Sequence, residues 1–165
     1  MQRGALLAFI WVAAVGCGSV AEDDVDPTGA FSVSVTNGAN GCEFMDWMEG
    51  ASSSNIALTV SQDGDTVIAE IGGLIGTYIE LVVGSRTFIG TVSGNLLELS
   101  LIGDKDLTEN GCTYRVRAFV DAELDGDVLT GTIRYSRDVD TAQPCAELDG
   151  CTTQQSFNGT RPPSQ

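Results

Sequence analysis

The stretch CTYRVRAFVDAELDGDVLTGTIRYSR, residues 112–137, decides the architecture. Along it Tyr114, Val116, Ala118, Val120, Ala122 and Leu124 take every second position, while Arg115, Arg117, Asp121 and Glu123 fall between them. A period of two sends the apolar set to one side of a strand and the charged set to the other, which describes a strand with one dry face. Asp125-Gly126 interrupts the alternation with residues that accept the positive φ of a tight hairpin turn. A second strand then runs from Val128 to Arg137.

The same alternation continues on both sides. Phe31, Val33 and Val35 are interleaved with Ser32, Ser34 and Thr36; Ile56, Leu58 and Val60 lead through the Asp63-Gly64 turn to Val67, Ala69 and Ile71. The pattern predicts a strand pair over 77–83 and 87–93, then Leu97, Leu99 and Leu101 after the Gly94-Asn95 turn, and a last strand over 154–161. No crossover helix separates these segments, so chain neighbours pair antiparallel. An all-β, up-and-down meander of eight or nine strands must either close or split into a two-sheet β-sandwich, because long free edges invite aggregation. A recurring spacing favours a small closed barrel. Phe88, Leu129 and Phe157 are each followed two residues later by Gly90, Gly131 and Gly159. A glycine on the apolar face lets a strand bend sharply or neighbouring side chains fill a narrow interior.

The N-terminal region carries a different message. Arg3 precedes an uncharged run, Ala5 to Val15, that is too short to span a bilayer, and residues 14–17 read Ala-Val-Gly-Cys. This resembles the lipobox of bacterial lipoproteins, which implies removal of residues 1–16 and acylation of Cys17. Two or more acyl chains hold a domain stably on a membrane. The alternative is plain secretion with a cut after Ala13 or Ala14, which leaves Cys17 as an unpaired thiol. Gly18, in place of an Asp, implies onward sorting to the outer membrane of the cell envelope. Residues 17–28 then form an acidic linker, and residues 29–165 the barrel domain.

The full chain has 23 acidic and 8 basic side chains and a net charge of −15; loss of Arg3 with residues 1–16 makes it −16. Such a surface repels nucleic acid and anionic headgroups, and self-repulsion suits a soluble monomer. The sequence contains no histidine. Ser-His-Asp and Cys-His machinery and imidazole-bound zinc are therefore excluded, leaving carboxylates, Lys or Tyr for acid–base work.

Cys42, Cys112, Cys145 and Cys151 remain beyond Cys17. In an oxidising envelope four cysteines pair in one of three ways. The Asp149-Gly150 turn between Cys145 and Cys151 favours joining those two, and with them Cys42 to Cys112. Four thiolates also suit zinc, but there is no Cys-x2-Cys knuckle, and no metal or cofactor is expected. Asp23, Asp24 and Asp26, and the Asp-Gly-Asp runs at 63–65 and 125–127, lack the pattern of a calcium loop and read as linker and turns.

Residues 37–55 form the longest irregular stretch. A short helix over 43–49 would set Phe44 and Trp47 as a plug in one end of the barrel or as a lid over it. Glu80 and Glu98 are the one candidate carboxylate pair. Each alternates with the apolar set of its strand and points to solvent, so no catalytic residue is assigned and the chain is not read as an enzyme.

Two resemblances follow from these residues. Gly29-Ala30-Phe31 with Phe157-Asn158-Gly159-Thr160-Arg161 looks like the two ends of a calycin barrel, of the lipocalin and avidin superfamily. That likeness implies that Phe31 stands where the superfamily has Trp, with Arg161 laid over it as the barrel-closing pair. From Thr28 to Pro163 the chain is also similar to uncharacterised lipoproteins of Gram-negative bacteria, through Asn37 to Cys42, Gly111 to Tyr114 and Phe157 to Pro163. Two functions then stand: an anchored, non-catalytic barrel that binds a small apolar ligand, or a structural or protein-interaction module of the envelope acting through its loops and outer surface. The inward Phe88, Leu97, Leu99, Leu101 and Tyr114 leave open whether the lumen is filled. Replacing the thiol of Cys17 (Cys17→Ala) is expected to move the protein from the membrane to the soluble fraction with its circular dichroism unchanged, as read by fractionation.

Overall fold

The structure, a computed structural model, describes residues 25–109, 111–139, 145, 148 and 150–162. The expected signal segment 1–16, Cys17 and the expected linker up to Asp24 lie outside the described residues. Among the described residues nine strands and one helix follow in chain order: β1 Gly29–Asn40, β2 Ser52–Asp63, β3 Thr66–Ile71, α1 Gly73–Val83, β4 Thr87–Ser93, β5 Leu96–Ile102, β6 Leu107–Glu109, β7 Cys112–Asp125, β8 Val128–Val139 and β9 Thr153–Thr160. Each of the first four strands pairs antiparallel with the next, β5 pairs with β7, and β7, β8 and β9 continue the meander. β9 returns to β1, with Ser32 opposite Thr160 and Asn37 opposite Gln155. The result is a closed eight-strand antiparallel barrel, to which short β6 is added beside the start of β7. Closure disposes of the two-sheet alternative.

The two ends of the barrel differ. At one end the connections are tight turns at Gly64, Gly94 and Gly126, each with a positive φ near 60° that glycine accepts without strain. Phe31, Val67, Leu97, Leu124 and Leu129 fill the lumen there and are almost fully buried. The chain enters across this end: Val25 donates its N–H to the carbonyl of Gly94, and Pro27 is buried. Arg161 lies over the Phe31 ring, 5.1 Å from guanidinium carbon to centroid, and donates to the carbonyls of Thr28 and Asp26. This end is sealed. The opposite end carries the longer connections: residues 41–51, α1 and residues 103–106, together with Cys145 and Cys151 from between β8 and β9.

The glycine spacing has a direct structural counterpart. A Cβ at Gly90 would collide with the backbone of Glu98 and Leu99 on β5, and one at Gly131 with the backbone of Asp121 and Ala122 on β7. Only glycine lets adjacent strands approach so closely where the sheet turns a corner.

Three expectations are corrected. Residues 77–83 belong to α1 and not to a strand. β4 is already bonded along both edges, to β3 and to β5, so no edge is free for another strand. The segment instead coils above the barrel, ends at Gly84 with φ 95°, and rests Gly76 on the carbonyl of Ile71. Residues 43–49 form turns and not a helix, because Glu43 and Asp46 take positive φ values of 53° and 58° that break helical continuity.

Among the described residues the four cysteines pair, but as Cys42–Cys151 and Cys112–Cys145. β1–β9 pairing sets Asn40 opposite Thr153, which brings Cys42 and Cys151, just beyond these residues, side by side. Cys145 meets Cys112 at the start of β7, so the two bridges fasten Cys145 and Cys151 to the open end. The bridges span 109 and 33 residues of chain. Loop-closure entropy then assigns about 5 kcal/mol to the first and about 4 kcal/mol to the second. Urea denaturation is expected to show a larger loss for the Cys42→Ala/Cys151→Ala double variant than for Cys112→Ala/Cys145→Ala.

Candidate functional site

Above the sealed end the lumen opens into a cavity of about 460 Å³. Its existence follows from side-chain size: the inward positions of β3 and β7 hold Ala69, Ala118 and Ala122, where bulkier residues would have filled the interior. The wall is completed by Leu99, Leu101, Phe88 and Ile133, among other apolar side chains, and α1 contributes Ile75, Tyr78, Ile79 and Val83 across the top. Every residue of the lining is uncharged. The volume lies within the range of small-molecule pockets, which are concave, mostly apolar and supplied with few polar groups.

Those polar groups stand together on one wall. Tyr135 donates its phenolic hydrogen to Gln155 Oε1 at 2.6 Å, Gln155 Nε2 donates to Asn37 Oδ1 at 2.7 Å, and Asn37 Nδ2 donates to the Met48 carbonyl at 3.1 Å. Burial pushes the Tyr135 phenol well above the ordinary tyrosine range. β1, β8 and β9 are hydrogen-bonded side by side, so the three side chains share one inner face.

Phe44 and Trp47 line the open end of the cavity. Both pack on Tyr135, with ring centroids 6.5 Å and 6.1 Å away. The loop that carries them is held by named bonds. Asn40 Oδ1 accepts from the Phe44 N–H and Asn40 Nδ2 donates to the Phe44 carbonyl, buried Thr153 accepts from the Cys42 N–H, and Trp47 Nε1 donates to the Gly38 carbonyl. Behind Phe44 lies Arg137, a buried cation set 5.0 Å from the Phe44 centroid and 4.2 Å from that of Tyr114. It pairs with Glu109 at 3.0 Å and donates to the Glu43 carbonyl, and Tyr114 donates to the same Glu109 carboxylate. Burial raises the Tyr114 phenol, with the Arg137 charge opposing it. Arg137 thus holds the loop against the barrel wall, and β6 supplies its counter-ion.

Glu80 and Glu98 are not brought together in the lumen. Glu80 sits on α1 and pairs with Arg86 at 3.4 Å, and Glu98 is exposed on the outer face of β5. Among the described residues no group of His, Cys, Asp or Glu is arranged to hold a metal ion. Asn37, Tyr135, Gln155 and Arg137 were not singled out by sequence reasoning. The signal was present in strand parity: Asn37 continues the inward series of Val33 and Val35, Gln155 that of Phe157, and Tyr135 and Arg137 that of Ile133.

No family model matches the chain, and no curated protein matches it. A solved structure described as EF1p2_mFAP2b bound to DFHBI is similar at 16% identity and a TM-score of 0.44, over 82% of this chain and 93% of that one.

Unfolded tyrosine ionises near 10, whereas Tyr135 stays protonated to higher pH in the fold. Above that value unfolding releases a proton, so stability falls as pH rises, by up to about 1.4 kcal/mol per pH unit for this group. Denaturation at neutral and alkaline pH is expected to show a shallower alkaline decline for Tyr135→Phe than for the parent.

Proposed function

We propose that this protein is a non-catalytic binding module of the bacterial envelope that holds one small apolar molecule in its barrel, tethered to the outer membrane through acylated Cys17. The cavity carries the reading. A deep, apolar, uncharged lumen capped by aromatic side chains gains free energy by taking apolar surface out of water. Side chains of middle size on β3 and β7 would have closed it, yet the chain places alanine there. The tether rests on residues 14–17 and is compatible with the fold. Val25, the first described residue, joins the barrel at the sealed end, away from the mouth.

The outer face suits water. Arg117 pairs with Asp138 at 2.5 Å, Arg134 with Asp121 at 2.7 Å and Arg115 with Asp106 at 2.7 Å, all partly exposed. Such pairs add little stability, about 0–1 kcal/mol each, but keep the outer strands soluble.

A second reading, a protein-interaction module, is favoured by one observation. Met45, Met48, Leu74 and Leu81 are 75%, 70%, 90% and 69% exposed on the two segments that frame the mouth. Apolar side chains grouped at a loop end mark contact surfaces more often than isolated ones do.

A test separates the two. A neutral solvatochromic dye is expected to bind the purified protein in a one-to-one ratio with a blue-shifted emission. Ala118→Trp, which places an indole in the lumen, is expected to weaken it at least tenfold while leaving circular dichroism unchanged. Dye bound equally by both proteins would place it on the exposed mouth residues and support the second reading.

A further inference from the structure

We infer that the lumen selects neutral amphiphiles carrying a hydrogen-bond donor, a hydroxyl or an amide N–H, which is received by the phenolic oxygen of Tyr135. The inference rests on the reading of the lumen as a ligand site and names the chemistry that the site accepts.

The direction of the polar chain on the cavity wall decides it. The Met48 backbone carbonyl can only accept, so the atom of Asn37 facing it must be the amide nitrogen. That leaves Asn37 Oδ1 turned to Gln155, which must therefore present its nitrogen, and Gln155 Oε1 is left for Tyr135. An amide oxygen cannot donate, so the Tyr135 hydroxyl gives its one proton to Gln155. A single backbone carbonyl thus orients three side chains in sequence. What Tyr135 retains is acceptor capacity, and among the described residues no donor is directed to its phenolic oxygen. Tyr135 and Gln155 both belong to the cavity wall.

Charge complements this polarity. Because the lining holds no cation or anion, a carboxylate or ammonium would be stripped of water with no partner of opposite sign. The nearby buried cation, Arg137, is committed to Glu109 and lies behind Phe44. A ligand that offers only acceptors finds the phenolic proton already engaged. The preferred ligand therefore has an apolar body lying among Ala118, Leu99 and Ile133 and one neutral donor near the β1–β8–β9 wall.

Isothermal titration calorimetry at neutral pH with decan-1-ol, its methyl ether and decanoate tests the inference on the intact barrel. The alcohol is expected to bind roughly tenfold tighter than the ether, the effect of one buried hydrogen bond, and decanoate roughly a hundredfold weaker than the alcohol. In Tyr135→Phe the alcohol is expected to fall to the affinity of the ether, while the ether binds as before and so reports an intact lumen. Gln155→Met releases the phenolic proton, and the ether is then expected to rise roughly tenfold to match the alcohol. This gain would not arise from a structural role, and it decides the matter if Tyr135→Phe does not fold. Equal binding of alcohol and ether by the parent, or a gap that survives loss of the phenol, overturns the selection and leaves the binding-module reading standing. Failure of all three probes to bind overturns both.

Discussion

The pairing of β9 with β1 is the constraint on which the remaining structure depends. Without it the meander would present two long rows of unpaired backbone groups, the arrangement that recruits other chains. With it, every barrel strand has a neighbour on each side, and a lumen is created whose two ends can be treated differently. One end is drawn shut by tight turns, large apolar side chains and the strap at residues 25–28 under Arg161. The other keeps long connections, two disulfides and the helix. Because closure sets Asn40 against Thr153, it also determines which cysteines meet.

Much of this was legible from alternation alone. The inward series of β7, from Tyr114 to Leu124, and the outward arginines and acids between them follow strand parity without exception. The glycines at 90 and 131 signalled corners because they interrupt an apolar face that otherwise continues. What escaped had identifiable causes. Residues 77–83 are rich in Ile and Val and read as a strand, although Ile75, Tyr78, Ile79 and Val83 keep helical spacing and line one face of the cavity. Local propensity was overridden by the lack of a free sheet edge. The disulfide partners were judged by distance along the chain, where Cys145 and Cys151 are neighbours. Ring order places Cys151 beside Cys42, and only the assembled barrel supplies that order.

The polar wall of the lumen shows the same division. Strand parity puts Asn37, Tyr135 and Gln155 on the inner face, and a polar residue in a buried register is the informative exception in such a pattern. Parity cannot say that the three touch: Tyr135 and Gln155 stand on neighbouring strands, but Asn37 lies 118 residues from Gln155 and meets it only through closure. Nor does parity give direction. That comes from the Met48 carbonyl, a backbone group in the loop that also carries Phe44 and Trp47. The loop thus shapes the mouth and fixes the hydrogen-bond sense of the wall beneath it. Arg137, committed to Glu109 and packed between two rings, secures the loop and removes the nearest positive charge from the lumen.

The union of the first and last strands also imposes an order on biogenesis. β1 must wait for β9 before its second edge is covered, so the chain carries an incomplete sheet until that strand joins it. Contacts so distant in sequence close slowly, and the interval exposes sticky edges. The 42–151 crosslink joins residues that this closure sets side by side, which makes it a latch across the seam of the finished cup.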